Sequence, residues 1–113
     1  MGRGTAGDLE EERALKQVTA FFEQHGSTRF AQKVDGRIPV PHRAGFVEDS
    51  EEERVWLVFT ETFRKEVCRG LDYRLVLEVL ARNGMLVNCE GDRQVRRRIP
   101  GMGQLRFYAI VTK

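Results

Sequence analysis

The chain has 113 residues, enough for one domain that buries a core without disulfides or metal ions. Hydrophobic residues make up 41% of it and charged residues 32%, as in ordinary globular proteins, and no apolar run reaches the ~20 residues of a membrane span. The net charge is unevenly divided. Residues 1–59 hold 8 Lys/Arg against 11 Asp/Glu, net −3, and residues 60–113 hold 11 against 6, net +5. A basic half suits a phosphate-binding surface, although small domains that bind no phosphate also show such asymmetry.

The cysteines and histidines indicate neither a disulfide nor a metal site. Cys68 and Cys89 form no CxxC motif, so reduced thiols are predicted over a disulfide. His25 and His42 lie far from both cysteines in the sequence, without the spacing of metal ligands. The N-terminal residues have no apolar core of a signal peptide. We therefore predict a cytoplasmic protein that holds no metal and no cofactor.

The N-terminal part predicts a short leader followed by a helix. Residues 1–7 are rich in glycine and are predicted to be a flexible leader or a cloning scar, whereas residues 8–113 form a single domain. Residues 8–24 show apolar positions at helical spacing, with Asp8 as the N-cap. Three glutamates follow it in the first turn, where the helix dipole favours negative charge. We interpret them as a solvated first turn, although a partner-binding face is the alternative.

The segment 27–43 is the least regular part of the chain. Phe30 and Val34 are predicted to attach it to the core, and Asp35 begins a turn. Pro39 and Pro41 force an extended path, because a proline restricts the residue before it. Four basic residues are spread along the segment, either as a loop that follows a phosphate backbone or as a solvated loop.

Two strands are predicted next, over residues 44–47 and 54–59, joined by an acidic turn. The second strand, RVWLVF, is apolar on both sides, which predicts burial on both faces or cover by a helix. Trp56 lies within this apolar run. It is therefore predicted to be a core residue in preference to a platform for base stacking.

Residues 60–84 predict a helix-turn-helix. The first helix covers residues 60–68 with Thr60 as N-cap, and residues 69–71 form the turn. The second helix covers residues 73–83, with Asp72 as N-cap and a glycine at its C-terminal end. The predicted apolar stripes of the two helices consist of Phe63, Val67, Leu75, Val76, Val79 and Leu80.

An arginine-rich β-hairpin follows. A strand begins over residues 85–88, residues 90–92 turn, and residues 105–111 form the closing strand. Arg96 and Arg98 alternate with apolar residues and share a face away from the core, while Arg97 points with the apolar set near a wing edge. Helix, turn, helix and basic wing together predict an α+β winged-helix fold with an extra N-terminal helix and strand pair.

This layout predicts a surface for nucleic acid. The N-terminal residues of the second helix approach base edges, and arginines of the wing contact the backbone. The predicted nucleic-acid-binding residues are Arg64, Lys65, Arg69, Tyr73, Arg74, Arg82, Arg93, Arg96, Arg97 and Arg98. Because Leu77 and Glu78 dilute the basic charge of the second helix, backbone or shape recognition is favoured over base readout. The alternative is a protein-interaction module with an exposed apolar patch around Leu77 and Tyr73. Self-association through an uncovered strand edge is a third possibility.

No motif of an enzyme is present. The sequence lacks GxSxG, a P-loop and HExxH, and nothing places Glu61 and Glu66 beside a histidine as an acid–base set. The glycines at 101 and 103 lie between strands and open no helix, so they do not form a phosphate loop. We predict no catalytic residue, no small-molecule substrate and no membrane partner.

Nearly the whole chain from residue 18 onward also resembles a known family. The segments FFEQHGSTRF, RAGF, WLVFTETFRKEVCRGLDYRLVLEVLARNGML and LRFYAIV are similar to the C-terminal region of replicative primase-helicases of phages, plasmids and integrated elements, a domain family of unknown function. The most specific pattern consists of Phe63, Arg64, Glu66, Val67, Cys68, Gly70, Asn83, Gly84 and Leu86. The resemblance implies an accessory domain of a phage or integrated-element replication protein, with the ATPase motifs elsewhere. We expect this domain to bind nucleic acid, DNA in preference to RNA; the alternative is that it docks on the ATPase core of its parent or on a replication partner. The resemblance implies no catalytic residues here, because the ATPase motifs are absent.

Overall fold

The computed structural model describes residues 6–32, 43–49, 51–99 and 101–112. It shows a mixed α+β fold in which helices pack on a sheet. The described helices are α1 (Ala6–His25), α2 (Thr60–Thr62), which continues into a π-helical segment (Phe63–Val67), and α3 (Tyr73–Arg82). The described strands are β1 (Phe30–Gln32), β2 (Gly45–Asp49), β3 (Arg54–Phe59), β4 (Val95–Ile99) and β5 (Gly103–Thr112).

In the described part of the chain, the sheet has five strands in the order β1-β2-β3-β5-β4. Strand β1 is parallel to β2, and the other neighbours are antiparallel. The sequence did not predict β1, because a strand of three residues shows too little alternation and depends on a partner distant along the chain. Phe30 is buried at its start, as predicted. The expectations for Val34, Asp35 and the two prolines fall on residues 33–42, outside the described ranges.

One face of the sheet packs against the helices. Trp56 on β3 is 5% exposed and stacks on Phe22 of α1 with 4.7 Å between ring centroids, which confirms its predicted place in the core. On β5, Tyr108 contacts Phe63 of the π-helical segment with 4.8 Å between centroids. Val76 of α3 joins the same cluster. The core therefore fixes α3 and the π-helical segment relative to the sheet.

The opposite face of the sheet is also apolar and buried. Phe46, Leu57, Phe107 and Ala109 are fully buried there. Since period-two alternation places Leu57 on this face and Trp56 on the other, β3 is buried on both sides. That confirms the prediction made for RVWLVF.

The N-terminus of α1 differs from its prediction. The helix begins at Ala6, two residues before Asp8. Asp8 is therefore inside the helix and is not its N-cap. The predicted leader overlaps the helix at residues 6 and 7, and its first five residues lie outside the described part.

The second helix is only partly an α-helix. Thr60 was the predicted N-cap, but Phe59 occupies that position and no side chain caps the helix. After three residues the chain widens into the π-helical segment, and the Cys68 amide donates to the Phe63 carbonyl at 2.9 Å. The wider turn brings the fourth and fifth residues after Phe63 to the same side. Val67 and Cys68 are consequently both buried with it.

Helix α3 has the predicted caps. Asp72 accepts a hydrogen bond from the Arg74 amide at 3.0 Å, and Gly84 has φ 69°. The Gly84 amide donates to Ala81 and the Met85 amide to Leu80, which is a Schellman motif. The predicted apolar stripe is wrong at two positions, however. Leu77 is buried, at 4% exposure, and joins the core cluster of Val76, whereas Leu75 of the predicted stripe is only half-buried.

The chain after α3 reaches the hairpin without forming the predicted strand at residues 85–88. Only a single bridge pairs Leu86 with Ile110 there. The closing strand β5 is longer than predicted, because it pairs with β3 along one edge and β4 along the other.

Both cysteines are free, as predicted. In the part of the chain that the structure describes, no helix combines the length and apolar character of a membrane span.

Candidate nucleic-acid interface

The β4–β5 hairpin presents arginines on one face. Arg96 and Arg98 point to the face opposite that of Val95 and Ile99, as the alternation predicts. Arg106 of β5 lies directly across from Arg96. These three exposed residues, Arg96, Arg98 and Arg106, are called the basic strip below.

The basic strip carries charge that no described carboxylate neutralises. The ion pairs among the described residues include none of its arginines. Like charges directly opposite each other on neighbouring strands destabilise a sheet, and a cross-strand pair contributes on the order of 0.2–1 kcal/mol. The Arg96–Arg106 pair thus opposes folding, and an anionic ligand would relieve the repulsion.

Arg97 is not part of the strip. It lies on the opposite face of β4, with the apolar residues, as predicted. Its Nε is 3.7 Å from the Glu48 carboxylate, and its guanidinium donates to the Arg96 carbonyl. The structure therefore does not bring it together with Arg96 and Arg98.

Beside the strip is a cleft of about 380 Å³ between the first two turns of α3 and the loop at residues 91–94. Tyr108 and Arg64 complete its lining. Tyr108 lies two residues after Arg106 on β5 and thus on the same face of the sheet. The strip accordingly extends outward from the cleft. This cleft is called the arginine–tyrosine cleft below.

Two contacts hold Arg64 in the cleft. Its guanidinium carbon is 4.6 Å from the centroid of the Tyr73 ring, a cation–π contact. One guanidinium nitrogen donates to the Tyr108 hydroxyl at 2.9 Å. This hydrogen bond raises the pKa of Arg64 above its ordinary value. The π-helical segment positions the side chain.

Tyr73 and Arg74 form the wall at the start of α3. The guanidinium carbon of Arg74 is 5.7 Å from the Tyr73 ring centroid, and a hydrogen bond with Tyr73 raises the pKa of Arg74. Tyr73 is half-buried and packs against the core cluster that contains Phe63 and Val76. The guanidinium groups of Arg64 and Arg74 therefore both lie against this ring.

The opposite wall contains a residue with unfavourable backbone geometry. Arg93 has φ 61°, the left-handed region that an L-residue with a side chain seldom adopts. Its amide donates to the Glu90 carbonyl at 2.9 Å, and the Gln94 amide donates to Asp92 Oδ1 at 3.0 Å. Asn88 also donates to the Gln94 carbonyl, at 2.8 Å. These bonds hold the loop, and with it Arg93, at the cleft.

The cleft and the strip differ in charge. Among the described residues, the cleft is lined by three arginines (Arg64, Arg74 and Arg93) and two carboxylates (Glu78 and Asp92), which gives net +1. The strip has three arginines and net +3. Phosphate binding is therefore favoured on the strip, whereas the cleft offers mixed polar and aromatic groups.

The other predicted site residues lie elsewhere. Lys65 forms an ion pair with Glu61 at 3.0 Å. Arg82, at the end of α3, is 3.3 Å from the Glu11 carboxylate of α1. Arg69 lines a separate cleft against α1. The structure brings none of these three together with the hairpin.

The polar residues around the cleft against α1 join secondary-structure elements to one another. Gln17 of α1 donates to the carbonyls of Val67 and Arg69 at 2.8 and 2.9 Å. Arg29 forms two hydrogen bonds with the Glu66 carboxylate, at 2.6 and 3.1 Å. The bond to Arg29 lowers the pKa of Glu66, and the same bond raises the pKa of Arg29. These groups join α1 and the start of β1 to the end of the π-helical segment.

The described residues contain no group of three or more His, Cys, Asp or Glu side chains that could hold a metal ion. Burial raises the pKa of Cys68 to about 12, so its thiol stays protonated at neutral pH.

Arg106 and Tyr108 are not among the predicted site residues. Both lie in the closing strand LRFYAIV, where alternation places them on one face. That signal was available, but only the register of β5 against β4 places Arg106 opposite Arg96.

Comparison of the chain with protein-family models, curated proteins and solved structures finds no match.

Proposed function

We propose that this domain binds nucleic acid through the basic strip and the arginine–tyrosine cleft. The observation that carries the proposal is the strip: three exposed arginines on one face of a hairpin, with no carboxylate partner among the described residues. Such a surface attracts polyanions, because each arginine at a phosphate releases condensed counterions. Its position beside a cleft with aromatic and amide groups favours nucleic acid among polyanions.

We further propose that the fold is a winged helix. Support comes from the chain order α1, β3, α2 with its π-helical segment, α3 and then the β4–β5 hairpin, with β3 pairing β5. Strands β1 and β2 extend the sheet on the far side of β3. In this interpretation α3 is the recognition helix and the hairpin is the wing. Because Glu78 and the buried Leu77 limit base contacts by α3, backbone or shape recognition is favoured over sequence readout.

The resemblance to replicative primase-helicases supplies a hypothesis about context. The proposed role is that of a cytoplasmic accessory domain in a phage, plasmid or integrated-element replication protein, with DNA as partner. The domain itself is proposed to have no catalytic activity. Docking on the ATPase core of the parent is the alternative role.

The apolar patch expected for a protein-docking module has little support in the described residues. Leu77 is 4% exposed and Tyr73 is half-buried, so they form no exposed patch. The exposed large hydrophobic residues of the described part are Leu9 on α1, Val87 between α3 and β4, and Met102 between β4 and β5. Isolated residues of this kind are ordinary on protein surfaces.

Charge reversal tests the proposal. In Arg96→Glu/Arg98→Glu, we expect affinity for labelled DNA to fall at least about tenfold and the salt slope of log K to decrease by about 1.5, since two phosphate contacts are lost. The fold should persist, because Glu at position 96 faces Arg106 and replaces a repulsive pair with an attractive one.

The matched control is Arg13→Glu/Lys16→Glu, which makes the same charge change at exposed positions of α1. It should leave affinity within about twofold, because only long-range and screened electrostatics change. Equal losses in both double variants, or no binding by wild type to single- or double-stranded DNA at low salt, would contradict the proposal.

A further inference from the structure

We propose that the arginine–tyrosine cleft holds one unstacked base of a single strand, whose phosphates follow the basic strip. This inference rests on the proposed nucleic-acid binding and adds a preference for single strands over duplex. Three features of the cleft carry it: its charge, its fixed aromatic and guanidinium surfaces, and its size.

The cleft and the basic strip differ in charge, and this difference decides which part of a nucleotide each can hold. Glu78 and Asp92 line the cleft beside its arginines, and a phosphate there would face both carboxylates. A base is uncharged and has donors and acceptors on its edge, so carboxylates and the amide of Gln94 are suitable partners for it. The strip has no such carboxylate among the described residues. Phosphates are therefore assigned to the strip and a base to the cleft.

The cleft also has a stacking surface held in place before binding. Contacts with the Tyr73 ring at 4.6 Å and the Tyr108 hydroxyl at 2.9 Å restrain the Arg64 guanidinium. A guanidinium plane and an aromatic ring are the surfaces on which proteins stack unpaired bases. Because two partners fix Arg64, little side-chain freedom is lost when a base stacks on it.

The volume fits a single nucleotide unit. The cleft measures about 380 Å³, within the ~300–1,000 Å³ range of clefts that bind small organic ligands. In a duplex the bases are stacked and paired, so the cleft would remain empty unless a base left the helix. A single strand can place a base in the cleft without first breaking a base pair, so the cleft favours single strands over duplex.

The next residues on the sheet give the path of the strand. Arg106 lies two residues from Tyr108 on the same face, and Arg96 lies across from Arg106. Arg98 continues the same face of β4, a further ~7 Å along, since strands rise 3.2–3.4 Å per residue. Cations at this spacing run from the cleft outward along the hairpin, as an extended phosphate backbone requires.

The test compares one fluorescently labelled oligonucleotide as a single strand, as its duplex and as a strand with abasic sites in place of its bases. Anisotropy at low salt should show that wild-type protein binds the single strand about tenfold more tightly than the other two, a difference typical of one stacked base. Arg64→Lys keeps the charge but removes the planar group, so it should abolish most of this preference. Lys65→Gln is the matched control, because this exposed neighbour pairs with Glu61, and it should keep the preference.

Two results separate the two proposals. If wild type binds all three probes equally, and Arg96→Glu/Arg98→Glu still weakens binding at least about tenfold, the proposed function stands and the base pocket is wrong. If no probe binds at low salt, both proposals fail. Retention of the full preference in Arg64→Lys would also overturn the assignment of Arg64 as the stacking surface.

Discussion

Two surfaces of this domain use their cations differently. The surface where α1 and the start of β1 meet the π-helical segment and the end of α3 is called the helix side, and the basic strip together with the arginine–tyrosine cleft is called the hairpin side. On the helix side, Arg29 is fixed on the Glu66 carboxylate and Arg82 on that of Glu11. On the hairpin side, the basic strip has no carboxylate partner among the described residues, and two of its arginines face each other across the strands. Cations of the first kind connect secondary-structure elements, whereas those of the second kind are available to a ligand.

This difference shows why counting basic residues does not locate a binding surface. The second half of the chain has net +5, yet Lys65, Arg82 and Arg97 are engaged by carboxylates.

The hairpin side also contains Arg93 in the left-handed region. Features that oppose folding persist in natural proteins chiefly where function requires them. Changes on the helix side should therefore alter stability alone, and changes on the hairpin side should reduce binding while stability is kept or raised.

The Arg29–Glu66 pair provides the first prediction. Glu66→Gln should lower the free energy of unfolding by about 1 kcal/mol, because a bidentate charge-assisted pair is strong but this carboxylate is partly exposed. DNA affinity should not change. Chemical denaturation and anisotropy on the same variant check both parts, and a loss of affinity without a loss of stability would place Glu66 in the binding surface.

The same pair predicts a pH dependence. The pKa of Glu66 is lowered in the folded protein by its hydrogen bond to Arg29. Its contribution is therefore fully present above the unfolded-state pKa, ordinarily 4.5, and is lost as the pH falls through the folded-state pKa. The stability difference between wild type and Glu66→Gln should shrink when denaturation is repeated at acid pH. A difference that stays constant or grows would show that the charge of Glu66 is not the cause.

Arg93 provides the second prediction. Arg93→Gly should be more stable than Arg93→Ala by roughly 0.5–1 kcal/mol. Glycine adopts a positive φ without strain, whereas alanine does not, and this difference is reduced by the larger backbone entropy that glycine loses on folding. Both variants should bind DNA more weakly than wild type, since each removes a cation from the cleft. Thermal denaturation and binding assays check this pair. If alanine were the more stable variant, the left-handed conformation would not be a source of strain.

Arg106 provides the third prediction. Arg106→Gln should raise the free energy of unfolding by about 0.2–1 kcal/mol, because the repulsion with Arg96 is removed, and it should weaken DNA binding. Arg54→Gln is the matched control on β3, where the arginine pairs with Asp49 and lies over the Trp56 ring. That control should be less stable than wild type and should bind equally well. Opposite signs of stability change in the two variants are the expected result, and the same sign would contradict it.

The sequence predicted the elements that depend on local chemistry. Asp72 and Gly84 mark the ends of α3, and their roles follow from a side-chain acceptor and a positive φ. The alternation of Arg96 and Arg98 with Val95 also fixed the faces of β4 in advance. In each case residues close together in the chain carry the information.

Features that depend on distant partners were not predictable in this way. Strand β1 exists because Phe30 pairs with Gly45, and the π-helical segment exists because Phe63, Val67 and Cys68 are buried together. The burial of Leu77 likewise reflects packing that helical periodicity alone did not show. In the candidate site, the cleft depends on Arg64 meeting Tyr108 across 44 residues of sequence. Carboxylates also pair with Lys65, Arg82 and Arg97, three predicted site residues that lie away from the site, and such pairing is visible only in the folded structure.

The most direct test of the proposed surface is a backbone-amide NMR titration of the intact domain with a short single strand at low salt. Binding at the hairpin side predicts that the largest shift changes occur at Arg64, Tyr73, Arg96 and Arg106, with amides of α1 near Gln17 unchanged. The changes should disappear as salt is raised, because phosphate contacts dominate the affinity. Shift changes concentrated on α1 and around Glu66, or no changes at all, would contradict the proposal.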